Sequence, residues 1–553
     1  MGRILRCVLG TSGVAASLVL LASCSGGSSS KSQNGGGGNN PPIAVPSQPA
    51  PTFFGMHQSH LAGCDKAPLD FTLFDAPAGA FRAWSTCKTQ WEDMNPANGQ
   101  YYFDGLDNLL NALHIKGIND VFINLGSTPN WISSNPTDTV CDRANVDGHP
   151  PGMCDPPTDL NPDGTGTDLA WRTFITALLA HVTASGYSSN HAHLQFYSIW
   201  DEFHRSDTVN TQTCFPPGSP TGDLPCSFRG TFAQMLRMTQ DLRCIVEGHP
   251  NDPITATSLT CGTSNYAQIG MDPAALIMEG DAGGENFDNG SQPMQNYLFC
   301  NDSPPPNSMC NYGSAGYDAT DVISGHSYFA MGKVPEHDMS AIAQEERVDP
   351  NWGTSKAKIY ITGEGGWGKN ANPDGTPSVP DPNLQAAYVA RWYLMLLIED
   401  VQRGYWYAWD GSDNNGSGGL WSPISADFPP LECTTADPNI GGYYCTGAIA
   451  YMQTVDWLSG ATTTTATCPG GCLSPKSGVF ALNLTRSGGY QATIMWDSSS
   501  VTACSNPQCG NTAIPNTPSF AVSQWRDVAG NTHSGAPASL GASPIIMENM
   551  TPP

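Results

Sequence analysis

Two glutamates stand where carboxylates can do chemistry. Glu202 follows the apolar run Leu194-Gln-Phe-Tyr-Ser-Ile-Trp200, in Trp200-Asp201-Glu202-Phe203. Glu364 follows Lys358-Ile-Tyr-Ile-Thr362, in Thr362-Gly363-Glu364-Gly365-Gly366-Trp367. Most acidic residues of the chain are Asp, so a Glu at each of two strand tips is a sharper signal than in a Glu-rich protein. The bland alternative is a pair of solvated surface acids, the usual fate of Glu. Aromatic neighbours weigh against it. Trp84, Trp131, Trp200, Trp367, Trp406 and Trp409 all fall at or near predicted strand ends. Indole faces stack on the C–H faces of pyranose rings, while paired carboxylates supply acid, base and nucleophile for a glycosidic bond. Taken singly, each Trp is more often core than ligand. His57, His60 and His204 lie near the same ends but lack a coherent third partner, so neither a metal nor a cofactor is expected.

The elements that would position these residues alternate. Helical periodicity runs over Leu106–Lys116, Asp168–Ala184, Phe228–Gly248, Leu384–Gly404 and Ala448–Leu458. Between these helices fall short apolar runs: Asp120–Leu125, Leu194–Trp200, Ile254–Leu259, Val322–Gly325, Lys358–Thr362 and Tyr405–Trp409. Such alternation predicts a parallel sheet with helices outside. About eight repeats would close it as a (β/α)8 barrel, whose functional side chains sit at the C-terminal ends of the strands. A doubly wound open sheet is the alternative, but no Gly-rich nucleotide turn follows the first strand. Past Ser459 the helical period vanishes. Val479–Leu484, Tyr490–Trp496 and Ser519–Trp525 read as strands of a small antiparallel domain, a sandwich by pattern. The expected division is a leader over 1–24, a flexible Gly/Ser/Asn/Pro linker over 25–52, a barrel over 53–460 and a β-sandwich-like domain over 461–553.

Composition narrows the partners. With 23 Lys+Arg against 49 Asp+Glu, the 553-residue chain carries a formal charge of −26, and charged residues are only 13%. Nucleic acid and anionic lipid are disfavoured, since both need Lys and Arg. A neutral carbohydrate is not. Arg3 and Arg6, then the apolar stretch Val14–Ala22, make an export signal. Its end, Leu21-Ala22-Ser23-Cys24, resembles the bacterial lipobox, which would make Cys24 the lipidated first residue of an exported periplasmic or outer-membrane lipoprotein. An ordinary signal peptide with a nearby Cys is the alternative. Cysteine usage agrees with export. Setting aside Cys7 and Cys24 leaves an even number of the 18 cysteines, in neighbouring sets: Cys64/Cys87, Cys141/Cys154, Cys214/Cys226, Cys244/Cys261, Cys300/Cys310, Cys433/Cys445, Cys468/Cys472 and Cys504/Cys509. No CxxC occurs, so disulfides fit better than zinc. A monomer touching membrane only through its lipid is expected.

At the catalytic positions the chain resembles glycoside hydrolase clan A, the (β/α)8 retaining glycosidases, most of all family 39 and its bacterial relatives. That clan places an acid/base Glu after strand four, usually as Asn-Glu-Pro, and a nucleophile Glu after strand seven. Glu202 and Glu364 match those places. Phe81-Arg82-Ala83-Trp84 resembles the strand-two Arg that holds the nucleophile, and Thr128-Pro129-Asn130-Trp131 the strand-three turn. Gly325-His326-Ser327-Tyr328 resembles the strand-six His-x-Tyr, whose phenol contacts the nucleophile, and Tyr405–Gly411 the aromatic strand eight. The resemblance covers roughly residues 53 to 460. It implies Glu202 and Glu364 as catalytic residues, with Arg82, Trp84, Trp131, Asp201, His326, Tyr328, Trp367 and Trp409 around the substrate. One departure stands out. Asp201 and Phe203 replace the clan's Asn and Pro, and an ionised Asp can only accept hydrogen bonds. Gly363 before Glu364 is a second oddity, giving its backbone unusual freedom.

Two classes follow. One is a retaining β-glycosidase acting on a plant or microbial polysaccharide or oligosaccharide by double displacement. The other is a non-catalytic glycan-binding lipoprotein on the same scaffold, for which Asp201 is the main support.

Overall fold

The computed structural model describes residues 43–44, 48–58, 76–139, 149–202, 228–263, 266–281, 293–300, 310–329, 334–336, 348–352, 354, 356–367, 382–410, 419–422, 426–428, 431–438, 442–472, 476–499, 509–515 and 518–553. The export signal, the lipobox Cys24, His60, Phe203, His204 and most of the long Cys-bearing loops lie outside these residues.

Eight parallel strands close into a barrel. They are β1 (Phe54–His57), β2 (Ala80–Ala83), β3 (Asp120–Asn124), β4 (His193–Ser198), β5 (Leu276–Met278), β6 (Val322–Phe329), β7 (Ile359–Trp367) and β8 (Arg403–Trp406). Helices follow most of them: α1 (Asp104–Ile115), α2 (Leu169–Val182), α3 (Phe232–Val246), α4 (Pro293–Leu298), α5 (Ala315–Ala319), α6 (Pro382–Ile398) and α7 (Thr446–Leu458). Two of their starts are fixed by side chains that satisfy otherwise orphaned N–H groups. Thr231 and Gln234 form a reciprocal capping box on α3. Asp159 accepts from the N–H groups of Leu169 and Ala170 at the start of α2. Among the described residues no helix is long and apolar enough to cross a membrane.

The barrel interior is layered, and the layering positions the site. Ala80, Phe122, Phe196, Met278, Val322, Ile361 and Tyr405, from seven strands, form one apolar cluster. Side chains two positions further along a strand return to the same face. On β2, β3, β4 and β6 those are Arg82, Asn124, Ser198 and Ser324, all buried. An apolar floor thus carries a polar layer, and the polar layer carries the carboxylates.

The fifth strand differs from expectation. Ile254–Leu259 does not join the sheet. It folds back on itself, Ile254 N donating to Leu259 O at 3.0 Å and Thr257 N to Ile254 O at 2.8 Å, and the Cys244–Cys261 disulfide encloses it. Its β-branched composition suits a strand, but Pro253 and the covalent clip hold it as a turn. The true β5 is three residues long and follows Asp272, Pro273 and Ala274.

Beyond α7 lies the antiparallel domain. The chain adds β9 (Thr462–Thr467), β10 (Val479–Thr485), β11 (Gln491–Asp497), β12 (Gln524–Asp527), β13 (Thr532–Ser534) and β14 (Ile545–Glu548). With Ile43–Ala44, from the stretch read as linker, they form one seven-stranded sheet in the order Ile43–Ala44, β9, β10, β11, β14, β12, β13. Along β10 burial alternates: Phe480, Leu482 and Leu484 join the main core, and Phe480 stacks on Trp496 at 5.1 Å. Four disulfides join described residues, Cys244–Cys261, Cys300–Cys310, Cys433–Cys445 and Cys468–Cys472, each pairing sequence neighbours as expected. Cys87, Cys154 and Cys509 are disulfide-bonded too. Their expected partners, and the Cys214/Cys226 pair, lie outside the described residues.

Candidate active site

Arg82, from β2, is the hub of the barrel mouth. It is fully buried. Its Nη1 donates to Glu364 Oε1, on β7, and lies 3.3 Å from His57 Nδ1 on β1. Its Nη2 donates to Asp201 Oδ1, just past β4, and at 2.9 Å to Asp281 Oδ2, just past β5. One guanidinium therefore faces three carboxylates from three strands. The fork geometry of arginine suits this role better than a lysine point charge.

His326, from β6, closes the arrangement on the other side. Its Nδ1 lies 3.0 Å from Glu202 Oε1 and 3.3 Å from Glu364 Oε2. Its Nε2 lies 3.0 Å from Asp281 Oδ2 and 3.9 Å from Asp201 Oδ1. Glu202, Glu364 and His326 each offer an atom within 4.8 Å of the others. The side chain of Glu202 is 27% exposed and that of Glu364 only 7%. The first can meet solvent water, while the second is sunk beneath it.

Electrostatics follow from this crowding. Burial favours neutral His326, but Asp281 and Glu364 beside it prevail and hold the ring well above its ordinary pKa. Burial also opposes ionisation of Asp281, yet His326 and Arg82 hold it down at about 2. Asp201 goes the other way. Burial, only partly offset by Arg82 and reinforced by Glu364, pushes it up to about 7. Asp201, Asp281 and His326 also come within 4.8 Å of one another, a metal-like grouping. Arg82 already sets a positive charge against both of its carboxylates.

The backbone is bent to achieve this. Glu202 and Asp281 both have left-handed φ, +50° and +57°. Non-glycine residues held there cost of order 1–3 kcal/mol each and cluster at functional sites. The Glu202 amide donates to the Asp281 carbonyl at 2.9 Å, so the two strained residues hold each other. On β7 the pairing runs Gly325 to Thr362 and then His326 to Glu364, leaving Gly363 as the extra residue of a bulge. Bulges beside active sites re-aim side chains. The freedom expected of Gly363 is not what this position uses, for its φ is not left-handed. It uses space: a Cβ there would sit 2.1 Å from Asp281 Oδ1 and 2.7 Å from Ser324 Oγ.

Of the residues the sequence singled out, the structure brings together Arg82, Asp201, Glu202, His326 and Glu364. Trp84 is half-buried beside them, its ring 5.5 Å from the Arg82 guanidinium carbon and 5.8 Å from His57. Trp131 is half-buried, its Nε1 donating to Asn95 O at 2.9 Å. Trp409 corrects the expected Trp ring. It has no exposed surface and packs edge-on near Tyr444 at 6.1 Å, so its face is not open to a sugar. Trp406 and Trp200 are core as well, against Trp392 and Phe228. Tyr328 and Trp367 fall in the last two registers of β6 and β7, opposite Gly366 and Phe329. What their rings do lies outside the described residues.

Asp281 is the residue that sequence reasoning missed, with its companions Ser324, Asn124 and Glu279. Ser324 Oγ donates to Asp281 Oδ1, and Asn124 Nδ2 donates to Trp200 O at 2.8 Å and lies 3.4 Å from Asp281 Oδ2. Glu279, fully buried, accepts from Ser324 N at 2.7 Å. A signal existed: Glu279-Gly280-Asp281 directly follows the apolar Ala275–Met278.

No protein-family model matches the chain, and no curated protein does. Solved structures are similar in extent at low identity. They include a conserved exported protein from Bacteroides fragilis (12% identity, 91% of this chain and 98% of that one, TM-score 0.49). A GH51 arabinofuranosidase from Xanthomonas axonopodis pv. citri is 9% identical over 91% of this chain and 97% of that one, TM-score 0.48. A glucosidase from Croceicoccus marinus is 12% identical over 92% and 97%, TM-score 0.48.

Proposed function

We propose that the protein is a retaining β-glycoside hydrolase that cleaves a plant or microbial polysaccharide or oligosaccharide by double displacement. One observation carries the reading. Glu202, past the end of β4, and Glu364, within β7, bring carboxylate oxygens within 4.8 Å of each other. Retaining enzymes hold their carboxyls about 5–5.5 Å apart, whereas inverting ones leave about 6.5–9.5 Å for a water. Glu364, held between Arg82 and His326, attacks the anomeric carbon and forms a glycosyl ester as the leaving oxygen departs. Glu202 gives its proton to the leaving oxygen and then takes one from the water that cleaves the ester. Its greater exposure suits contact with that water. Trp84, with Trp131 and Trp367, serves the sugar rings, and Asp201 the sugar's 2-hydroxyl or a substituent there.

The clan A resemblance, family 39 in particular, agrees with this reading. We also propose export with a lipid on Cys24, which the disulfides support, since they persist in oxidising compartments. A glycan-library digest tests the function, with the anomer of the first-formed product read by NMR. The expected product keeps the β configuration. An inverted product would remove Glu364 as nucleophile. Glycan binding without any cleavage would favour the second reading, a binding lipoprotein, for which Asp201 speaks.

A further inference from the structure

We propose that Asp281 is the positioning residue of this site: its carboxylate anchors Arg82 and His326, its carbonyl anchors Glu202, and the His326 Nδ1–H it fixes is shared between the two catalytic carboxylates. The inference rests on the glycosidase reading for what the shared proton does, but not for the geometry.

Three sets of contacts converge on Asp281. Its Oδ2 lies 2.9 Å from Arg82 Nη2 and 3.0 Å from His326 Nε2. Its Oδ1 accepts from Ser324 Oγ. Its main-chain oxygen accepts from Glu202 N at 2.9 Å. The side chain is fully buried, in a left-handed conformation no ordinary strand end requires. Two strands away, β7 carries no side chain at Gly363, where a Cβ would overlap the carboxylate.

The histidine tautomer supplies the consequence. A neutral His326 with its proton on Nε2, facing Asp281, would turn a bare Nδ1 lone pair toward Glu202 and Glu364. That is repulsive as soon as either is ionised. Ion-paired to Asp281, the ring carries a proton on both nitrogens, and the Nδ1–H faces both carboxylates, at 3.0 and 3.3 Å. The negative charge moves between those two groups during double displacement. It sits on Glu364 before attack and on Glu202 once the leaving group has taken its proton. A donor placed between them serves whichever is charged without moving. The charged groups facing the ring are Asp201 and Glu202 past β4, Asp281 past β5 and Glu364 on β7. Arg82 and His57 lie across those carboxylates. Burial opposes the imidazolium, and Asp281 is the foremost of the acids that keep it protonated.

The test compares full-length wild type with Asp281→Asn, which keeps the shape and removes the charge. Two quantities are read. One is the His326 ring titration by NMR with labelled histidine, assigned through His326→Gln. The other is the pH profile of kcat/KM on whichever glycoside the digest identifies. The His326 midpoint should fall by about one pH unit or more. The kcat/KM should fall about 100-fold or more, with the basic limb moved to lower pH. If Asp281→Asn does not fold, Ser324→Ala removes one donor to the same carboxylate. It should shift both quantities in the same direction by less. An unchanged His326 titration in a folded variant overturns the proposal, whatever the activity. A wild type that cleaves nothing but whose His326 midpoint still drops in Asp281→Asn overturns the glycosidase reading and leaves the Asp281–His326 pair standing.

Discussion

Two buried arginines in this molecule are balanced in opposite ways. Arg391, on α6, meets one carboxylate: its Nε donates to Glu336 Oε1 at 2.8 Å and its Nη2 to Glu336 Oε2, with the Tyr388 ring 4.7 Å away. Trp496, from β11, donates its Nε1 to the same Glu336 at 2.7 Å. One charge meets one charge in the bidentate geometry that repays desolvation best, and barrel and C-terminal sheet are tied through it. Arg82 meets three carboxylates, with a fourth within reach of His326. A junction that only has to hold is neutral and unstrained. A site that must hold ionised and protonated acids side by side carries surplus negative charge and two left-handed non-glycine residues. Stability is given up where charge has to move.

The largest break in that comparison should come from the carboxylates that react. Glu364→Gln and Glu202→Gln should each lower kcat by about 10⁴-fold or more, since removing one member of a catalytic set costs nearly as much as removing all. Thermal unfolding should change little, because neither residue closes the fold. With an activated aryl glycoside, azide should rescue Glu202→Ala as the β-glycosyl azide and Glu364→Ala as the α-anomer. Turnover like that of the wild type in either Gln variant would remove that residue from the mechanism.

The junction should respond in the opposite sense. Arg391→Met strands Glu336 as a buried, uncompensated charge, which costs about 3–5 kcal/mol when a buried pair is broken. Activity per folded molecule should stay close to that of the wild type. Adding Glu336→Gln to Arg391→Met should recover most of the loss, because Gln keeps a carbonyl for Trp496 Nε1 and carries no charge. Chemical denaturation of the two variants reads this directly. A single variant as stable as the wild type would mean that the pair contributes nothing at the junction.

These contrasts explain what could be read in the sequence. The barrel was legible because the period switches between strand and helix many times in a fixed order. Glu202 and Glu364 were legible because each follows an apolar run long enough to recognise, although β7 itself runs on through Glu364 to Trp367. Asp281 was not, since β5 offers three residues while the richer Ile254–Leu259 imitates a strand from inside a disulfide loop. The Trp ring misled for another reason. Strand-end position fixes where an indole starts, but neighbours such as Trp392, Phe228 and Tyr444 decide whether its face is covered. Gly363 looked unusual in sequence, yet the reason is the Asp281 carboxylate from another strand, which no local pattern reports.

Gly363 offers a smaller break. Gly363→Ala drives a methyl group into Asp281 and Ser324 at 2.1 and 2.7 Å, both buried and already hydrogen-bonded. Overpacking of this kind costs about 1–3 kcal/mol. Activity should fall further than stability, because the atoms displaced hold Arg82 and His326. Gly404→Ala is the control: its Cβ would meet Leu396 and Trp392, apolar groups in the core. It should lose stability while folded molecules keep their kcat. Equal activity losses per folded molecule in the two variants would show that the β7 bulge does not aim Glu364.

Asp201 gives the sharpest sign. Its carboxyl is pushed up to about 7, first by burial and then by Glu364, against the pull of Arg82. For an acid whose folded pKa lies above its unfolded one, the folded state binds the extra proton, so stability falls as pH rises between the two. The window runs from about 4, the ordinary Asp value, to about 7. Asp201→Asn removes that titration. The variant should match the wild type near pH 4 and gain on it through this window, about 1.4 kcal/mol for each pH unit and so up to about 4 kcal/mol at pH 8. That would be a stabilising loss of charge, where loss of charge at Arg391 destabilises. The same ionisation acts on Glu202, the residue next in sequence. A charged Asp201 holds the Glu202 proton more tightly, so Asp201→Asn should move the basic limb of kcat/KM to lower pH and alter the preference between sugars epimeric at C2. Unfolding curves from pH 4 to 8 beside pH–rate profiles decide it. A stability difference that stays flat across that range would mean Asp201 is ionised throughout, with Arg82 outweighing burial. A stability gain without any change in pH profile or sugar preference would place Asp201 in the charge balance of the site but outside its contact with substrate.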